Sequence, residues 1–167
     1  MSLLRSVDKN IGAIVKKGRD DLIITENAYR ESKKMIASWE EGIRKLQDRW
    51  RREGLTQEEI DSLTLAHSHL TMKIQAEIQE YEAIKRGEFD MTCNFENIGQ
   101  QLVRFRIWKG LSQSELAERL GVTPQQVSKD ERNGYARASS EKIRQVLEAL
   151  GIEVTIQPAW QTASGEK

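Results

Sequence analysis

LSQSELAERLGVTPQQVSKDERNGY, residues 111–135, is the stretch on which the fold turns. Ser112 and Thr123 each stand immediately before an amphipathic run, where a side-chain oxygen can accept from the unpaired N–H groups of a helix's first turn. Gly121 separates the two runs, and Pro124 takes the first position of the second, where a missing N–H costs nothing. The pattern predicts two short helices joined by a tight turn. Helices crossing steeply over so short a connection need a small residue where they touch, a residue that tolerates positive φ in the turn, and a branched apolar residue to lock the second helix. Ala117, Gly121 and Val127 occupy those places, with Leu116, Leu120 and Val122 around them. On the second helix Gln125, Gln126 and Lys129 fall opposite Val127 and are predicted to face outward.

Working outward, residues 96–108 read as a helix with Ile98, Leu102, Val103 and Phe105 inward, ended by Gly110. SSEKIRQVLEALG, residues 139–151, reads as a last helix with Gly151 just past its end. Beyond it Ile152, Val154 and Ile156 alternate with polar residues up to Pro158, which predicts a short strand. A lone strand of this length needs a partner. Either the same strand of a second subunit supplies it, or residues 3–7 or 22–24 of the same chain do.

QSELAERLGVTPQQVSKDERNG followed by SSEKIRQVLEALG resembles the lambda-repressor-like, Cro/C1-type (XRE) helix-turn-helix family over residues 97–151, about a third of the chain. The resemblance implies a repressor-type regulator of transcription that lays its second helix in the major groove of double-stranded DNA. Glutamine can pair with the N6 and N7 edge of adenine and lysine with guanine O6 and N7, so Gln125, Gln126 and Lys129 are the expected base contacts. Gln113 and Ser114 open the first helix, whose free N–H groups and dipole favour a phosphate, and the resemblance implies that Gln113 anchors the backbone. Ser128, Arg132, Asn133, Arg137 and Arg104 are the other expected backbone contacts, with Arg106 a further cation in reach. On any other exposed helix Gln, Ser and Lys would be ordinary solvated residues; the Ala117, Gly121, Val127 framework is what gives them this reading. One residue departs from the family pattern. Where a large apolar side chain usually packs inward, this chain has Asp130, which predicts that the second helix ends early or that its last turn tilts.

The N-terminal half reads differently. From Thr25 a helical pattern runs to about Arg52, with Tyr29, Ile36, Ile43 and Trp50 at seven-residue intervals and Trp39 and Leu46 between them. Thr56 with Glu59 makes a capping box for a second helix ending before Gly87, whose series is Ile60, His67, Ile74 and Tyr81, joined by Leu63, Leu70 and Ile84. A short connection between two such stripes predicts an antiparallel, coiled-coil-like hairpin. Ile78, Met35 and Met72 are left over as an edge. Residues 87–95, GEFDMTCNF, read as a linker with Phe89 and Phe95 tucked in. The predicted fold is therefore mainly all-α: an N-terminal segment and hairpin over residues 1–90, a helix-turn-helix unit with a short C-terminal β-strand over 91–158, and a tail over 159–167.

Composition limits what such a chain does. Its 26 Lys and Arg balance 26 Asp and Glu, so it is no general polycation for coating nucleic acid. Residues 97–156 hold nine basic against seven acidic residues, and residues 1–96 hold 16 against 18, which places the DNA-facing surface in the C-terminal half. The one cysteine, Cys93, excludes an internal disulfide and offers no thiolate cluster for zinc. Asp8, Lys9, Lys16 and Lys17 interrupt any signal-like stretch, and no window is apolar enough to span a membrane, so a cytoplasmic protein is expected. His67 and His69 lie two apart on a helix, on different faces, and Glu58, Glu59 and Asp61 suit a helix N-terminus. No catalytic set, metal site or cofactor is expected.

A helical hairpin followed by such a unit, with ITENAYRESKKMI opening the first helix and IQAEIQEYEAIK closing the second, resembles the HigA-type antitoxins. The resemblance implies a toxin–antitoxin autorepressor acting as a homodimer on a palindromic operator, with a toxin protein as partner and the hairpin as the toxin-contacting or dimer-forming surface. The plainer alternative is an ordinary XRE-type regulator whose hairpin dimerises or senses a signal.

Overall fold

The computed structural model describes residues 23–155, in which every regular element is an α-helix. These are α1 (Glu26–Arg52), α2 (Gln57–Arg86), α3 (Ile98–Trp108), α4 (Gln113–Leu120), α5 (Pro124–Arg132) and α6 (Ser140–Leu150). The chain divides into two compact units between Glu88 and Phe89. The readings of residues 1–22, of the strand's last residues from Ile156 and of the 159–167 tail lie outside the described residues, as does the side chain of His67. Residues 152–155 follow α6 with no strand pairing among the described residues.

In the first unit α1 and α2 form the expected antiparallel hairpin, each about 40 Å or a little more at 1.5 Å per residue. The cross-helix pairs give the direction: Glu26 meets Lys85 at 2.9 Å, Tyr29 stacks on Tyr81 with centroids 5.1 Å apart, and Gln75 donates to Glu40 at 3.2 Å. Thr25 caps α1, and Thr56 and Glu59 close the predicted box on α2. Ile36, Ile60, Ile74, Tyr81 and Ile84 are buried as predicted. Two positions differ. Leu63 is 56% exposed, whereas Ile78, expected at the outer edge, is buried. From Ile60 to Ile78 the seam takes the residues four, not three, beyond each heptad position, so Thr64, Thr71 and Ile78 fill it, whereas Ile84 keeps its predicted place three beyond Tyr81. Threonine is tolerated there because Thr64 returns its hydroxyl proton to Ile60 O at 3.0 Å, so its own hydroxyl is not left unsatisfied.

The second unit is built around α3, which packs on α5 and α6, while α4 packs on both of those helices. Leu102, Val103, Phe105 and Ile107 of α3 meet Leu116, Ala117, Val127, Tyr135, Val146 and Leu150 in one core. Val122, expected in that core, is 39% exposed, because the turn after Gly121 carries it to the surface. The linker is fastened from beneath: the buried Gln101 amide donates to Asp90 O and Thr92 O, both at 2.8 Å. Phe89 packs against Phe105 and Trp108 as predicted. Phe95 does not tuck in. It is 82% exposed, because Asn94 and Asn97 hydrogen-bond the backbone around it into a turn whose apex it occupies.

A charged pair lies inside this core. Arg106 of α3 and Glu131 of α5 are both buried; Arg106 Nε and Nη2 donate to the two carboxylate oxygens at 2.5 and 2.7 Å. Arg106 Nη1 donates to Leu111 O at 2.7 Å, and Gln113 of α4 donates its amide to Glu131 Oε2 at 2.8 Å. Every oxygen of the carboxylate is engaged, which is the condition for a buried pair to be tolerated. Arg106 is thus structural and not the backbone cation its charge suggested.

Two stability outcomes follow. Glu131→Ala, which strands the guanidinium, should cost about 3–5 kcal/mol in urea unfolding, whereas Arg106→Met combined with Glu131→Leu should recover most of that loss. Gly99→Ala should cost about 1–3 kcal/mol, because a Cβ there would lie 1.9 Å from the carbonyl oxygen of Gly134, a backbone atom with little room to yield.

Candidate nucleic-acid interface

The turn between α4 and α5 is made by local chemistry. Ser112 Oγ accepts from Glu115 N at 3.1 Å while Glu115 accepts from Ser112 N at 2.7 Å, a second capping box. Gly121 adopts φ 64°, and Val122 N reaches back to Ala117 O at 3.0 Å, closing α4. Thr123 then caps α5 by accepting from Gln126 N at 3.2 Å, with Pro124 in the first turn. Ala117 and Val127 are each 1% exposed at the crossing, so the three framework residues act as their spacing predicts.

Val127 and Glu131 form the buried face of α5, which dictates what points away. Gln125, Ser128, Lys129 and Arg132 follow the i, i+3, i+4, i+7 spacing of a single helix face opposite Val127. Gln125, Lys129 and Arg132 are exposed and Ser128 is half-buried, with Arg132 donating to Ser128 Oγ at 3.3 Å. Lys129 and Arg132 make no ion pair among the described residues. Gln126 stands about 100° round the helix from Gln125. It is half-buried and donates its amide to Asp130 Oδ1 at 2.8 Å. The other expected contacts stand on α5 and on neighbouring elements of the same unit. Ser114 is exposed at the start of α4, Asn133 ends α5 and donates to Lys129 O at 3.0 Å, Arg137 is exposed in the connection to α6, and Arg104 is half-buried on α3. Gln113 is half-buried, with one amide N–H given to Glu131.

Asp130 does not end α5, which continues to Arg132. Its carboxylate is paired with Lys142 of α6, and its carbonyl accepts from Tyr135 N at 2.8 Å. Burial alone would raise this carboxyl; hydrogen bonds from Lys142 and Gln126 outweigh it and hold it below the ordinary carboxylate range. Tyr135, at φ 53°, buries its ring beneath the same connection. Burial, then the nearby Glu131 and Asp130, push its phenol upward, so it stays protonated. Between α5, the connection and the start of α6 lies a cleft of ≈ 730 Å³, bordered by Gln126, Lys129, Asp130, Arg137 and Lys142. Sequence reasoning missed the inward roles of Arg106, Glu131 and Lys142. The only signal was indirect: two adjacent acids on a helix expected to face a polyanion.

The helix-turn-helix family model matches residues 102–157. The C-terminal unit is a helix-turn-helix domain. Over 57 residues it is 39% identical to the uncharacterized HTH-type transcriptional regulator y4wC of Sinorhizobium fredii, a match covering 34% of this chain and 39% of that protein. No solved structure matches the chain. In the helix-turn-helix numbering of elements α4 and α5 are the pair, and α5 is the second helix. Among the described residues no helix is long and apolar enough to cross a membrane, and no group of His, Cys, Asp and Glu could hold a metal ion.

The tie between Asp130 and Lys142 has a definite pH dependence. Because the folded carboxyl lies below its ordinary value of 3.8, the tie contributes fully above that value and is lost as pH falls through the lowered one. The stability advantage of wild type over Asp130→Asn, measured by thermal unfolding, should therefore shrink on acidification below about pH 3.8 and be constant above pH 5.

Proposed function

We propose that this protein is a sequence-specific DNA-binding regulator of transcription. The observation that carries the reading is the sorting of charge on α5: Glu131 turns in to Arg106, Asp130 turns aside to Lys142, and Gln125, Lys129 and Arg132 are left facing outward. A face that is basic and amide-bearing, on the second helix of a helix-turn-helix, suits the major groove, where Gln125, Gln126 and Lys129 read base edges. Gln113, Ser114, Ser128, Arg132, Asn133, Arg137 and Arg104 hold the backbone and set register. Residues 91–158 form the reading unit. A head this small gains useful affinity by doubling, so a homodimer on a palindromic operator, with half-sites about 34 Å apart, belongs to the proposal.

Residues 1–90 serve as the partner or dimer unit. A second, finer reading makes the protein an antitoxin-like autorepressor with a toxin partner. Leu65 and Met72 favour it, being 58% and 66% exposed on the side of α2 that faces away from the seam. Co-expression of the full chain with the product of a neighbouring reading frame tests this reading, and recovery of the chain alone, with no stable complex, would count against it.

The main reading is tested by selecting duplexes from a randomised library with the full chain and measuring affinities by fluorescence anisotropy. Lys129→Ala should lose about 1–3 kcal/mol on the selected site and little on random duplex, whereas Arg137→Ala should weaken both alike and reduce the salt slope by about one. Failure of the wild-type chain to enrich any sequence would refute it.

A further inference from the structure

The DNA-reading proposal leaves Asp130 unexplained. Half-buried on α5 where an apolar side chain would pack, it needs Lys142 to neutralise it, and ion pairs of this kind seldom outdo an apolar residue for stability. Its other partner is the amide of Gln126, one turn earlier on the same helix. A free glutamine side chain must lose considerable rotamer freedom before it can read a base. Here that freedom is already restricted, because one N–H of the amide is bound to a carboxylate which is itself fixed from α6. Among the described residues the second N–H and Oε1 have no partner, and they are the donor and acceptor that the N7 and N6 edge of adenine calls for.

Resting on the DNA-reading proposal, we infer that Asp130 is a positioning residue for base selection: anchored by Lys142, it holds the Gln126 amide in the orientation that presents this donor–acceptor pair to one base pair. The chain Lys142, Asp130, Gln126 then links the seating of α6 to the base preference of α5. An apolar residue at 130 would give an equally good helix and a less exacting reader, because Gln126 would sample several rotamers and accept other bases.

The test uses the full chain and its own selected duplex, with every variant checked for helicity by circular dichroism. Gln126→Ala first identifies the base pair that Gln126 reads. Asp130→Leu should then lose about ten-fold of the preference at that same base pair, keep its affinity for random duplex within about two-fold, and melt no lower than wild type. Lys142→Met should relax preference at the same position, and Asp130→Asn, which retains an oxygen to accept from Gln126, should keep most of it. In the Gln126→Ala background Asp130→Leu should change selectivity no further.

Full preference in Asp130→Leu would overturn the inference, as would an equal loss on all duplexes or a loss at a different base pair. Gln126→Ala with unaltered selectivity would overturn it too while leaving DNA reading intact. Absence of any enriched sequence with wild type would instead remove the DNA-reading proposal, and the inference with it.

Discussion

The pair between Arg106 and Glu131 is the constraint from which the helix-turn-helix unit takes its shape. It joins α3 to α5 through a bidentate contact, Gln113 adds α4 through the same carboxylate, and Leu111 O ties in the turn between α3 and α4. Three helices are thereby fixed at one point by directional bonds, inside a core whose other contacts, among Leu102, Leu116 and Val127, are non-directional. A hydrophobic contact tolerates a few degrees of helix rotation; a guanidinium–carboxylate fork does not. Because Glu131 is one helical turn from Val127, fixing its direction fixes the rotation of α5 about its axis, and with it the direction of Gln125, Lys129 and Arg132.

That rotation changes how the charge of the unit should be counted. By sequence, residues 97–156 exceed neutrality by only two basic residues, a thin margin for a surface that meets phosphate. In three dimensions the two acids of α5 are consumed by Arg106 and Lys142, so the outward face of that helix is basic without dilution. The same sorting explains why Asp130 does not interrupt α5: its charge is compensated from α6 and its backbone carbonyl is used by Tyr135.

The hairpin shows a different balance. Its helices were legible because their caps and heptad spacing are local, and Thr25, Thr56 and Glu59 act where they stand. Which side of each stripe forms the seam was not legible. Leu63 and Ile78 exchange their expected places because a straight helix can present either the third or the fourth residue beyond a heptad position, and the partner helix decides between them. Threonine entered the seam unannounced, since its hydroxyl finds its partner in its own helix.

What the sequence determined by itself was every feature whose cause lies within a few residues. The helix starts at Ser112, Thr123 and Ser139, the left-handed stop at Gly121 and the close crossing permitted by Ala117 and Val127 all follow from caps, φ preference and side-chain size. Tertiary structure alone decided the fate of charged and amide side chains. Arg106 and Glu131 are 25 residues apart, Gln113 and Glu131 are 18, and Asp130 and Lys142 are 12. A charge in a sequence is equally compatible with solvent, phosphate or a buried partner, and only packing removes the water that would otherwise make the three alike.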